Sequence, residues 1–164
     1  MKLKNLVALI SGAGSGIGKS TAKLFAENGA IVIVNDINEE NGLKTVEEIE
    51  SNGGIATFQQ ADVTKTEDVQ RMVKEIVEKY KKIDILFNNA GVSGVGELHE
   101  IDEHVWDSVM NVNVRGVFVL SKYVVQQMMK QNNGNIINMS SCVAEIGLAR
   151  RALYAATKGA ILSL

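Results

Sequence analysis

The 164-residue sequence predicts an α/β domain in which a doubly wound, Rossmann-like parallel sheet carries helices on both faces. Three observations lead there. Short continuous apolar runs alternate with longer stretches of helical periodicity through five successive βα units. Most of the runs end in Gly, Asn or Asp, the residues that turn a buried parallel strand into the next helix. No repeat, low-complexity tract or linker interrupts the alternation, and the length suits one domain, so residues 1–164 are read as a single unit.

The elements follow in order. "LVALIS" (Leu6 to Ser11) is an unbroken apolar run closed by glycines, as a buried strand should be. "GKSTAKLFAENGA" spaces Ala22, Phe25 and Ala26 on one helical face and closes at Gly29. "IVIVND" is the second strand, and "NEENGLKTVEEIESNGG" the second helix, closed by Gly53 and Gly54. "IATFQQADV" is the third strand. The helix "TKTEDVQRMVKEIVEKYKK" has Thr64 or Thr66 as its N-cap and a stripe of Val69, Met72, Val73, Ile76 and Val77. "IDILFNNAG" forms the fourth strand, Val105 to Met129 one long helix and "NIINMSS" the fifth strand, before a last helix starting near Tyr154. In such sheets ligands bind beyond the carboxyl ends of the strands. The residues that follow each strand are therefore the place to look for chemistry.

After strand one, "SGAGSGIGKS" holds four glycines, Gly12, Gly14, Gly16 and Gly18. The fingerprint G-x-G-x-x-G fails in every register, because its third position falls on Ile17 or Lys19. G-x-x-x-G-x-G fits on Gly12, Gly16 and Gly18. Small residues there allow a tight turn, close backbone approach to a pyrophosphate and access to the positive end of a helix. After strand two stands Asp36, eighteen residues beyond Gly18. A carboxylate at that point accepts hydrogen bonds from ribose hydroxyls and repels a 2′-phosphate, and neither Ser15 nor Ile37 is basic. NAD(H) is expected ahead of NADP(H). Asp62, after strand three, is placed to reach an adenine amino group. The low-bulk turn Asn88 to Gly91, after strand four, suits packing beside the adenine ribose.

Composition excludes other classes. Net charge is −2 with no Lys/Arg cluster, so neither nucleic acid nor an anionic membrane is expected as a partner. The apolar run after the two N-terminal lysines is too short for a signal peptide or a membrane span. Cys142 is the only cysteine, so a cytoplasmic location is expected. It is read as a small buried side chain. His99 and His104 lack a companion ligand set, and no metal site is expected. Trp106 and the Met128–Met129 pair are read as packing or interface, and Arg150 and Arg151 as a solvated charge pair.

The segments "SGAGSGIG", "NNAG", "NVNVRG", "INMSS" and "YAATK", in that order, resemble the short-chain dehydrogenase/reductase family. The likeness runs the length of the chain. Ser11 departs from the family's usual Thr but keeps the hydroxyl that would brace the "NNAG" turn. The resemblance implies catalytic roles for Asn113, Ser141, Tyr154 and Lys158. Asn113 is preferred over Asn111 because Gly116 lies three residues on, and Ser141 stands thirteen residues before Tyr154. It also implies a cofactor-binding set of Gly12, Ser15, Gly16, Ile17, Gly18, Asp36, Asp62, Val63, Asn89, Ala90 and Gly91, joined by Tyr154 and Lys158.

The chemistry accounts for the residue types. Hydride transfer between an alcohol carbon and a nicotinamide requires the hydroxyl proton to move as well. A free phenol, with a pKa near 10, is a weak acid–base group at neutral pH. A lysine ammonium one helical turn away would ease its ionisation. Ser141 would hold the substrate oxygen. By resemblance, Lys158 grips the nicotinamide ribose and Asn113 holds a water leading to solvent. The expected reaction joins NAD(H) to a small secondary alcohol or ketone. The alternatives are an NADP-dependent 3-oxoacyl thioester reductase of the same family and a non-catalytic nucleotide-binding fragment.

The resemblance further implies a chain that continues through two more strands, and a homodimer or homotetramer for the complete domain. The absence of proline, where roughly eight would be average, fits a missing C-terminal part. Residues 1–164 alone are then expected to bind NAD(H) weakly, to turn over poorly and to aggregate through the apolar "NIINM" edge.

Overall fold

In the computed structural model, which describes residues 1–164 throughout, strands and helices alternate as the periodicity requires. The elements are β1 (Val7–Ser11), α1 (Gly16–Glu27), β2 (Ile31–Asp36), α2 (Glu39–Ser51), β3 (Ile55–Gln60) and α3 (Thr66–Tyr80). They continue with β4 (Ile85–Asn88), α4 (Glu103–Met110), α5 (Gly116–Lys130), β5 (Asn135–Asn138) and α6 (Ala152–Leu162). All pairings are parallel and the strand order is β3-β2-β1-β4-β5. The chain thus winds outward from β1 in one direction, then returns to β1 and winds outward in the other.

The two-residue period of the strands divides the core. Val7, Leu9, Ile33 and Leu86 point to one face, against Val69, Met72 and Ile76 of α3 and Leu120 and Val124 of α5. Ala8, Ile10, Val32, Val34 and Phe87 point to the other, against Ala22 and Ala26 of α1 and Ile49 of α2. Register places Leu9 between Ile33 of β2 and Leu86 of β4, so the centre of the sheet is buried on both sides.

Three local expectations are corrected. Neither Thr64 nor Thr66 caps α3. The cap position is Lys65, while the Thr64 hydroxyl turns back to donate to Asp62 Oδ1 at 2.7 Å. The segment Val105 to Met129 is not one regular α-helix, because α4 and α5 are joined by a π-helical turn, Asn111–Arg115. There the Gly116 amide donates to the Asn111 carbonyl, one residue wider than an α-turn. Gly116 is required at this junction because a Cβ would lie 2.9 Å from Val63 Cγ2 in the loop after β3. Cys142 is exposed, not buried, since it opens a short 3-10 turn after β5. No helix is long and apolar enough to cross a membrane.

Candidate active site

A cleft of about 650 Å³ opens beyond the carboxyl ends of β1, β2, β3 and β4, at the point where the winding reverses. Its first wall is the turn from β1 to α1. Gly12 and Gly16 adopt left-handed φ of +63° and +52°, conformations that a side chain would strain. A Cβ at Gly16 would meet nothing, so the backbone is open toward the cleft and the α1 N-terminus behind it. Gly18 is different. It does not line the cleft, and a Cβ there would lie 2.2 Å from the Gly12 carbonyl. It brings helix and turn together from behind.

The turn is tied to the loop after β4 through Ser11. The Ser11 hydroxyl accepts the amides of Asn89 and Ala90, both at 3.1 Å, and donates to the Phe87 carbonyl at 3.4 Å. Asn89 Nδ2 returns two bonds, to the Ser11 and Gly12 carbonyls. The serine therefore braces the "NNAG" turn as expected. On the opposite wall Asp36 closes β2, its carboxylate held by the amides of Gly14 (2.8 Å) and Asn38 (2.9 Å). Buried Asn35 pins the end of β3 by donating to the Gln59 and Ala61 carbonyls. Asp62 Oδ1 is occupied by the Thr64 amide and hydroxyl, and Arg115 donates to the Thr64 carbonyl from the π turn. Of the residues expected to touch cofactor, Gly12, Ser15, Gly16, Ile17, Asp36, Asp62, Val63, Asn89, Ala90 and Gly91 line this one cleft. An open glycine turn, a helix N-terminus and a fixed carboxylate suit a dinucleotide.

Tyr154 and Lys158 lie on α6, outside that lining. The spacing of four stacks them, with Lys158 Nζ 5.5 Å from the centre of the Tyr154 ring. Lys158 is only 4% exposed, and burial lowers its pKa from the ordinary lysine value. Its Nζ donates to the Met139 carbonyl at 2.7 Å, while the Ser140 hydroxyl donates to the Lys158 carbonyl at 2.8 Å. These two bonds fasten α6 to the end of β5, where half-buried Ser141 begins the next turn and accepts the Val143 amide at 3.4 Å.

Asn113 sits in the π turn, 1% exposed, with its amide committed elsewhere. Oδ1 accepts the Val92 amide at 2.8 Å, and Nδ2 donates to the Val92 carbonyl and to Thr157 Oγ1. No hydrogen bond joins Asn113 to Lys158. Its side chain instead links the cleft wall at Val92 to α6 through Thr157, whose hydroxyl donates to the Tyr154 carbonyl at 2.7 Å. Thr157 was not singled out in the sequence, and neither were Ser140 nor Asn35. Only the polarity of a residue one position from a chemical one could have flagged the first two. Arg151, read as solvated, donates to Ser93 Oγ at 2.5 Å, and Arg150 faces Glu97 at 3.8 Å.

Fold and cleft are those of an α/β domain suited to a dinucleotide, with α6 and its Tyr154–Lys158 pair tied to the cleft wall through Thr157 and Asn113. Comparison with known proteins gives the family. The model of the short chain dehydrogenases matches residues 6–164. A Thermotoga maritima protein described as an uncharacterized oxidoreductase is 50% identical over all of this chain and 64% of its own length. The 3-oxoacyl-[acyl-carrier-protein] reductase FabG of the same organism is 42% identical over all of this chain and 67% of its own.

Among solved structures, an NAD+-bound xylitol dehydrogenase superposes with a TM-score of 0.96 and 35% identity, covering 99% of this chain and 63% of that one. A gluconate 5-dehydrogenase from Burkholderia cenocepacia, in complex with NADP and tartrate, gives 0.93 and 36%, covering 98% and 63%. The chain belongs to the short-chain dehydrogenase family, whose members bind NAD(P). It spans about two thirds of the length of these relatives.

Proposed function

We propose that the protein is an NAD(H)-dependent oxidoreductase interconverting a secondary alcohol and a ketone. The observation that carries this reading is the stacking of Tyr154 and buried Lys158 on α6, tied by hydrogen bonds to both the cleft wall and the end of β5. Bound NAD(H) supplies or takes up the hydride at its nicotinamide ring. The protein's own residues do the rest. Tyr154 passes a proton to or from the substrate oxygen, and Lys158 places a positive charge beside the phenol to share the charge left behind. Ser141, at the end of β5, holds the same substrate oxygen by a hydrogen bond. Asn113 acts at one remove, fixing α6 against the cleft.

Asp36 supports NAD(H) over NADP(H), because its fixed carboxylate would face a 2′-phosphate with like charge. The same carboxylate speaks against the second reading, an NADP-dependent 3-oxoacyl thioester reductase, which the 42% identity to FabG favours. The test is a panel of alcohols, ketones and a 3-oxoacyl thioester, assayed with both cofactors. Turnover with NAD(H) and a free alcohol or ketone is expected. Tyr154→Phe should lower kcat by about 10²–10⁴-fold, the range of a lost acid–base group, with NADH affinity nearly intact. Substantial activity in that variant would remove Tyr154 from the mechanism. Tighter binding of NADPH than NADH by the wild type would favour the thioester reductase.

A further inference from the structure

Gly14 lies between the two glycines whose backbone needs them, yet it has no such need itself. Its φ is outside the left-handed region. What it lacks is room. A Cβ built on Gly14 would lie 2.7 Å from Asp36 Oδ2, 2.9 Å from Asp36 Cγ and 2.9 Å from Asn41 Cβ in the first turn of α2. The Gly14 amide itself donates to Oδ2 at 2.8 Å, and the Asn38 amide donates to Oδ1 at 2.9 Å. The carboxylate is therefore seated on the glycine turn by direct contact, with each oxygen using one acceptor site. An ionised carboxylate has about four such sites, so two remain for a ligand in the cleft that Asp36 lines.

We infer that Gly14 is a positioning residue for cofactor choice, acting through Asp36. Its missing side chain lets the carboxylate dock against the turn, and the docked position presents the remaining lone pairs to the two hydroxyls of an adenosine ribose. Any side chain at 14 lifts the carboxylate off its amide, at least a few tenths of an ångström, and presses on Asn41 in α2, whose N-cap Asn38 supplies the second amide donor. The hydrogen bonds to a 2′-hydroxyl are then lost or lengthened, and the charge that repels a 2′-phosphate moves. The inference rests on the reading of Asp36 as the ribose acceptor.

The experiment is a double-mutant cycle read by binding, with NADH and NADPH dissociation constants measured by fluorescence for wild type, Gly14→Ala, Asp36→Ala and the double variant. Gly14→Ala should weaken NADH roughly tenfold, the scale of one charge-assisted hydrogen bond, and leave NADPH within about twofold. In the Asp36→Ala background the same substitution should cost less than about twofold, because the partner it acts through is gone. A purely structural role would weaken both cofactors alike or persist in the Asp36→Ala background, and either result overturns the inference. If Asp36→Ala leaves the NADH:NADPH ratio unchanged, the ribose reading fails and the inference with it. If Asp36→Ala collapses the ratio while Gly14→Ala does not, only the inference fails. Amide hydrogen exchange supplies a measurement whose decisive arm, protection in the wild type, depends on no variant. The Gly14 N–H should be protected in the wild type and released in Asp36→Ala, and an unprotected amide in the wild type would end the proposal.

Discussion

The two halves of the site are built by opposite means. Around β1 and β2 the sheet is buried on both faces, every residue of β1 and the middle four of β2 among them, and the open glycine turn lines the cleft beside Asp36. Around β5 burial is thin, although the neighbouring α6 buries Leu153, Thr157, Lys158 and Ile161. β5 is the last strand of the sheet, Asn135 and Ile137 are exposed, and Ile137 keeps 42% of its surface. Side-chain hydrogen bonds hold that half in register, through Ser140 and Lys158 on one side and Asn113 and Thr157 on the other. A binding site can be made from hydrophobic burial plus turn geometry. The proton transfer proposed for the other half needs side chains at fixed separations, and a polar network holds Tyr154 and Lys158 there.

Packing in the two halves should differ most. Leu9→Ala empties a fully buried position between two strands and should cost about 2–5 kcal/mol in urea unfolding. Ile137→Ala, on the edge strand, should cost under about 1 kcal/mol. Equal losses would show that the edge strand is as tightly packed as the centre. Next in size is Ser11→Ala. It strands the amides of Asn89 and Ala90 and should cost about 1–3 kcal/mol, while also weakening NADH binding through the "NNAG" turn. A stable variant with unchanged NADH affinity would mean that the brace does not hold the turn.

Thr157→Val keeps the shape and removes the hydroxyl that accepts from Asn113 and donates to the Tyr154 carbonyl. The expected stability loss is about 1 kcal/mol. Turnover should fall while NADH affinity stays, because the bond lies between the cleft and the helix proposed to carry the proton transfer, and Thr157→Ser should restore it. Loss of cofactor affinity instead would place Thr157 in the binding half.

How far the site was legible follows the same division. Strand β2 is readable to the residue from "IVIVND" because burial on both faces leaves a continuous apolar run, and the α3 stripe from Val69 to Ile76 because burial on one face imposes a helical period. The glycine turn and Asp36 were readable because they follow strands. What was not readable depended on distant partners. The π turn exists where Asn113 meets Val92, 21 residues back, and Thr157, 44 residues ahead. The α3 cap was misassigned because Thr64 is drawn away by Asp62, a choice between two local hydrogen bonds that sequence leaves open. Cys142 was expected inside on residue type, yet the turn after β5 leaves it exposed.

The smallest expected effect is on stability at Lys158, and its sign is the informative part. Burial holds the folded-state pKa of Lys158 below its unfolded value, which is near 10.4. Below both values the proton is bound in both states, and the folded state carries the cost of a desolvated ammonium, eased by the Met139 carbonyl. Between the lowered folded value and about 10.4 the unfolded chain binds more protons than the folded one, so this group makes stability rise with pH across that window. Lys158→Met should therefore abolish turnover yet leave unfolding free energy at pH 7 within about 1 kcal/mol of wild type, because a lost desolvation cost offsets a lost hydrogen bond. The difference between wild type and variant, followed by urea unfolding from pH 7 into the alkaline range, should shift in favour of the wild type as pH rises. A variant destabilised by more than about 2 kcal/mol at pH 7 would show Lys158 to be a net structural support, for which burial of its charge is outweighed by its bonds. A difference that stays flat with pH would show that its proton is held equally in both states.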